Sequence, residues 1–242
     1  MAQRPEVSQN SNTNHTADLV LSYHRVRTAL GVLGIFLPLA LILGGWEMSG
    51  KIEPTISDFF HTKMRDVYVG TLSAIGVFLI SYRGYRRHDD EILSDNVLAT
   101  TAGLAAFGLA FFPNTNGGTG ADTITQVVLG ADVARNVHFA AGTAFFFTMA
   151  LFCYILFPKS AKPARRRIYL MCGHVIVLSL IGLIAGSYSK MNGPPDVQEF
   201  LINTRLIFWS EAIGIWAFAF SWLVKGKADL ALVRRKTGSS IA

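Results

Sequence analysis

The sequence predicts an all-α integral membrane protein, a bundle of six transmembrane helices with both termini in the cytoplasm. Three observations lead there: the composition, six apolar runs, and the one-sided placement of the basic residues. Of 242 residues, 51% are hydrophobic and 16% are charged, and mean hydropathy is +0.37. A soluble domain carries roughly 25% charged residues. Long apolar stretches take the place of the missing charge, which excludes disorder, a coiled coil and a collagen-like chain. The net charge of +6 raises nucleic acid as a partner, but the positions of the charges argue against it.

The six runs are residues 29–46, 67–82, 97–112, 137–157, 168–187 and 206–224. A helix needs about 20 mostly apolar residues to cross the hydrocarbon core. The first, fourth, fifth and sixth meet that; the second and third are short and rich in Gly and Ala. In hydrocarbon each backbone polar group must be satisfied within the segment, so the runs should be helical. No two-residue alternation suggests a β-barrel. Pro38 should kink the first run.

Residues 1–25 form a polar tail and 226–242 a basic, loosely ordered one, leaving 26–225 as the membrane domain. The start lacks the pattern of a cleavable signal peptide, so the first run should remain as an anchor. Sixteen of the 22 Lys and Arg residues lie in the tails and in the second and fourth connections. The positive-inside rule places that side in the cytoplasm. The high pI then describes a polybasic face suited to anionic lipid, and no nucleic acid is expected. The inner membrane is the default location. Trp46, Tyr68, Tyr188 and Trp209 mark one interface; Tyr82, Tyr154, Tyr169 and Trp222 mark the other.

Small residues should allow close helix contact at Gly182 and Gly186, and at Ala102 and Ala106. Cys153 and Cys172 read as apolar fillers, and His174 as a satisfied core histidine. The stretch from Asn114 to Gly120 lacks the Lys-Ser/Thr of a phosphate loop and reads as a flexible outer loop.

The chemistry-bearing residues gather on the outer side. If helical from Ser57, the first outer connection puts Asp58, His61 and Arg65 on one face, with Asp66 elsewhere. His138 follows Arg135 and Asn136 at the start of the fourth run. Glu211 sits about 7 Å into the sixth. A charge at span depth costs about 2.5–3.5 kcal/mol and should face inward with a partner; His138 or Arg65 could reach it. A ligand site of Asp58, His61, Arg65, His138 and Glu211 is one reading, and a polar clasp fixing helix register is the other. Glu211 and His138 are the candidate acid and base if the site is catalytic.

The order of motifs resembles the FRAG/DRAM/Sfk family of six-span membrane proteins. The resemblance rests on Pro54, Ile56, Ser57 and Asp58 in the first outer loop. It continues with Tyr82, Arg83, Tyr85 and Arg86 after the second run, and Gly103 and Gly108 in the third. His138, Ala141, Gly142 and Phe145 open the fourth, and Glu211, Trp216, Phe218 and Phe220 occupy the last. The chain departs from the family at His61 and Thr62, where Gly is usual, and Trp does not follow Glu211 directly. The resemblance implies a role in membrane lipid organisation, lipid-anchor remodelling or trafficking.

Ser57 and His61 also resemble the Ser-x-x-x-His element of CREST-type membrane hydrolases, although the later His-x-x-x-His pair is missing. That resemblance implies zinc and hydrolysis of a lipid ester or amide. His61, His138 and one of Asp58, Asp66 or Glu211 would supply the roughly three ligands such a site needs. Without it no cofactor is expected. The leading expectation is an outward-facing pocket for a lipid headgroup or a partner, which includes a membrane protein or a second copy of the chain. A metal-dependent hydrolase and a transporter or channel are the alternatives.

Overall fold

Because hydrocarbon offers no hydrogen-bond partners, apolar runs close their backbone bonds along a single helix. The computed structural model describes residues 7–82, 94–115 and 123–238, with side chains described at 24–82, 94–115, 123–159 and 161–227. Its helices are α1 (Val7–Ser49), α2 (Arg65–Ser81), α3 (Asp95–Phe111), α4 (Ile124–Leu129), α5 (Ala131–Leu151), α6 (Pro163–Asn192), α7 (Pro195–Thr204) and α8 (Leu206–Gly238). A 3-10 turn occupies Ser57–His61, and a π-turn over Phe152–Leu156 continues α5. No strand occurs among the described residues.

Four segments are long and apolar enough to cross a membrane: His24–Ser49, Ala131–Leu156, Pro163–Asn192 and Leu206–Lys227. Their outward faces carry Val32, Phe36, Leu39, Leu43, Leu178 and Ile181, all exposed, where a soluble protein would place charge. The other two expected runs form α2 and α3, with 17 residues each. At 1.5 Å per residue each is about 25 Å long, against roughly 30 Å of hydrocarbon. Two short helices lie outside the apolar runs. α4 shows Ile124, Val127 and Val128 to the outside. α7 begins at Pro195 and ends where Arg205 turns left-handed at φ 54°.

Six helices close a ring in chain order: α1, α2, α3, α5, α6, α8 and back to α1. Small residues set the close crossings. Gly31 and Gly34 of α1 lie against Leu223 and Ala219 of α8. Gly182 and Gly186 of α6 meet Ser210 and Ile207 of α8, and Gly108 of α3 meets Ala141 of α5. α2 and α3 cross at Gly76 and Gly103. A Cβ on Gly103 would stand 2.8 Å from the Gly76 carbonyl oxygen and 2.6 Å from Ile80 Cγ1. Overpacking of this kind costs about 1–3 kcal/mol, and about 1 kcal/mol moves the melting temperature by about 2–4 °C at this chain length. Gly103→Val should therefore lower the unfolding temperature of the detergent-purified protein by about 2–12 °C, measured by intrinsic tryptophan fluorescence.

One end of the ring is packed with aromatic side chains. Trp222 is fully buried against Phe152, Phe157, Phe218 and Tyr82, with centroids 5.1–5.7 Å away. Arg27, also buried, donates to the Tyr82 hydroxyl at 2.7 Å, and His24 bonds the Gly226 carbonyl at 3.1 Å, tying α1 to α8. This aromatic stopper closes that end of the ring.

Pro38 lies within α1, which stays helical on both sides of it. Several local expectations change. The helices extend past the apolar runs to Val7 and Gly238, since adding a residue to an existing helix is far easier than starting one. His174 is exposed on α6, with its ring bonded to the Tyr154 hydroxyl, so it is not a core residue. Cys153 and Cys172 are buried and unpaired with each other, as fillers should be. Arg83, Tyr85, Arg86 and the Gly-rich stretch 116–120 lie outside the described residues.

Candidate functional site

The opposite end of the ring is closed by the connection between α1 and α2. Six successive residues, Thr55 to Phe60, are buried there. Irregular backbone at such a level is tolerated only where protein surrounds it and satisfies its polar groups. Here α8 does much of that. Its Phe208 N–H, one of the donors that a helix start leaves unpaired, donates to the Pro54 carbonyl at 3.0 Å. Glu211 Oε2 accepts the Ile56 N–H at 2.6 Å. Arg205 Nε reaches the Ile52 carbonyl at 3.2 Å. Within the plug, the Asp58 N–H donates to Thr55 Oγ1 at 3.0 Å.

The plug therefore decides where the side chains go. The 3-10 turn stops at Thr62, which is extended at φ −119° and ψ 178°. Asp58, His61 and Arg65 consequently do not share a helical face. Arg65 lies over the Phe60 ring, 4.3 Å from its centroid, and does not line the cavity. Asp58 is buried and accepts from Asn114 Nδ2 at 2.7 Å and from Lys190 Nζ at 2.9 Å. His61 Nε2 lies 3.0 Å from the Asn114 carbonyl oxygen and 3.2 Å from its Oδ1. Asp66 is exposed at the start of α2.

Next to the plug, His138 of α5 is buried with both ring nitrogens engaged. Nδ1 lies 2.7 Å from the Phe112 carbonyl oxygen and Nε2 lies 2.8 Å from Ser57 Oγ. A carbonyl only accepts, so the proton belongs on Nδ1. In the neutral ring Nε2 is then the lone-pair nitrogen and accepts from the Ser57 hydroxyl. Tyr68, also lining this end, donates to the Leu109 carbonyl at 3.2 Å. Glu211 and His138 are not hydrogen-bonded to each other. They hold neighbouring plug residues, Ile56 and Ser57, from α8 and α5 respectively.

These groups face a cavity of about 370 Å³. Its polar end is formed by Ser57, His138, Glu211, Arg135 and Lys190. Phe139, Phe145, Phe146, Leu183 and Ile215 form its apolar depth. Lining residues on both α5 (Asn136, Thr143) and α6 (Ile184, Tyr188) are exposed at the surface. The cavity thus reaches the outside of the ring between these two helices.

The metal candidates His61, His138, Asp58, Asp66 and Glu211 are held apart by other duties. Among the described residues no three His, Cys, Asp or Glu side chains come together in a metal-binding group. The His138 nitrogens are taken by Ser57 and Phe112, and the Asp58 oxygens by Asn114 and Lys190. This donor set does not fit a zinc site without rearrangement.

Three participants are not conspicuous in the sequence. Asn114 stands in a stretch that reads as loop, yet it is buried and joins His61 to Asp58. Lys190 reads only as one of the few basic residues on the outer side. Ser57 enters the sequence reading only as part of two loop motifs. A clue exists for Asn114, which follows the Phe111-Phe112-Pro113 end of an apolar run, where a buried amide has a helix end to serve.

No known protein family model, characterised protein or solved structure matches the chain.

Proposed function

We propose that this chain is a six-span membrane protein that binds a lipid in the cavity between α5 and α6. The headgroup lies against Lys190, Arg135 and His138, and an acyl chain runs into the apolar depth and out between the two helices. One observation carries the reading: a single cavity is polar at one end, where Lys190 and Arg135 stand paired with Asp58 and Asp132, apolar along its length, and open through the ring wall. An opening of that kind admits a molecule already in the bilayer. A cavity near 370 Å³ is within the size range of small-molecule sites.

In this reading α1, α2, α3, α5, α6 and α8 are the six spans. The basic residues of both tails and of the connections at the aromatic end support a cytoplasmic orientation for that end, which puts the cavity mouth at the outer leaflet. The resemblance to the FRAG/DRAM/Sfk family agrees with work on membrane lipids. Transport is less favoured, because the aromatic stopper around Trp222 separates the cavity from the other end and ionisable groups do not continue along a path among the described residues.

The test uses Gly142, which lines the cavity on α5. A Cβ there would find nothing nearer than Leu109 Cδ2 at 3.5 Å, an ordinary contact, so Gly142→Leu is seated without strain at its first atom and adds bulk at a position that lines the cavity. Native mass spectrometry of the wild type should show retained phospholipid. Gly142→Leu should lose most of it while its unfolding temperature is unchanged or higher, since Gly in a helix interior costs about 0.5–1 kcal/mol relative to Ala. Equal lipid retention in the two proteins would refute the reading.

A further inference from the structure

The plug brings a hydroxyl, an imidazole and a carbonyl into line at the polar end of the cavity. Ser57 Oγ, His138 Nε2 and Nδ1, and the Phe112 oxygen are joined by contacts of 2.8 and 2.7 Å. A nucleophile bonded to a base, with the base oriented by a third group, is the geometry by which a serine hydroxyl is activated. A backbone carbonyl here stands where a carboxylate often orients the ring. The serine is also held from both sides along the chain. Glu211 fixes the Ile56 N–H and Thr55 Oγ1 fixes the Asp58 N–H.

We propose that Ser57 is the nucleophile of an acyl-transfer site, with His138 as its base, acting on an ester-linked lipid; the lipid substrate class rests on the binding reading above. Ser57 Oγ attacks the ester carbonyl carbon and its proton moves to His138 Nε2. The bond from the acyl carbon to the lipid's glycerol oxygen then breaks, and the departing lysolipid alkoxide takes that proton from Nε2. The acyl group is left on Ser57. Water, or the hydroxyl of a second lipid, attacks the acyl carbon and delivers its proton to Nε2. Ser57 Oγ leaves and recovers that proton, so the free serine returns with a fatty acid or a transferred ester as product. Arg135 and Lys190 line the same cavity and favour the negative charge that develops on the carbonyl oxygen. Glu211 and Asp58 act as positioning residues.

The probe is a long-chain alkyl fluorophosphonate, whose phosphorus takes an activated serine oxygen as fluoride leaves. It is applied to the full chain in phospholipid nanodiscs, with intact mass, peptide mapping and, in parallel, lipid retention by native mass spectrometry. One adduct is expected, on Ser57, absent from Ser57→Ala and formed at least about tenfold more slowly by His138→Gln. Fatty-acid release from ester phospholipid vesicles should follow the same order. No adduct on Ser57 in wild-type protein that retains lipid would overturn the proposal and leave the binding reading intact. Equal labelling of His138→Gln would overturn the assignment of the base. An adduct on protein that retains no lipid would keep the nucleophile and overturn the lipid substrate class.

Discussion

Glu211→Ala should lower the unfolding temperature by about 2–12 °C, while Glu211→Gln should keep most of the stability. Glu211 is buried and its Oε2 accepts the Ile56 N–H at 2.6 Å. Removing the carboxyl strands the buried Ile56 donor, which costs about 1–3 kcal/mol. With about 2–4 °C per kcal/mol at this chain length, the stated range follows. Gln offers a carbonyl oxygen at the same reach, so the latch between plug and α8 survives. The two variants compared by tryptophan fluorescence in one detergent separate the hydrogen bond from the charge. If Gln costs as much as Ala, the latch depends on the negative charge and the hydrogen-bond account fails.

Lys190→Met should destabilise the protein by about 2–3 kcal/mol, and adding Asp58→Asn should restore at least half of the loss. Removing one member of a buried ion pair costs about 3–5 kcal/mol, because the other charge is left uncompensated. The Asp58 side chain is 8% exposed but that of Lys190 is 25% exposed, so water reduces the figure. In the double variant no charge is stranded, and the amide introduced in place of the Asp58 carboxylate can still bond Asn114. The restoring effect is the informative part. A double-mutant cycle read from unfolding midpoints should show coupling of about 1 kcal/mol or more. Additive losses would mean that the pair of Lys190 and Asp58 does not hold α6 to the plug.

These two predictions and the Gly103 crossing divide the molecule into what is local and what is not. The helices are legible in the sequence because hydropathy over about 20 residues is a property of the segment itself. The small-residue crossing of α6 on α8 at Gly182 and Gly186 is legible for a similar reason, since spacing on one helix marks a face. α2 and α3 are legible as apolar runs, but at 17 residues each their length alone does not settle a span. The break at Thr62 is not legible. A helical continuation from Ser57 to Arg65 is reasonable from spacing, and only the docking of the plug on α8 favours the 3-10 turn instead.

A helical protein with membrane-length apolar segments, a polybasic end, and a carboxylate and imidazoles near the other end can be read from local composition, because each of those features depends on neighbours a few residues away. Their partners follow only from how the helices pack. Glu211 meets the amide of Ile56 across 155 positions, and Ser57 meets His138 across 81. Hydrogen bonds at a buried loop are chosen by which backbone groups the packed helices leave unsatisfied, and that is known only once the ring has closed.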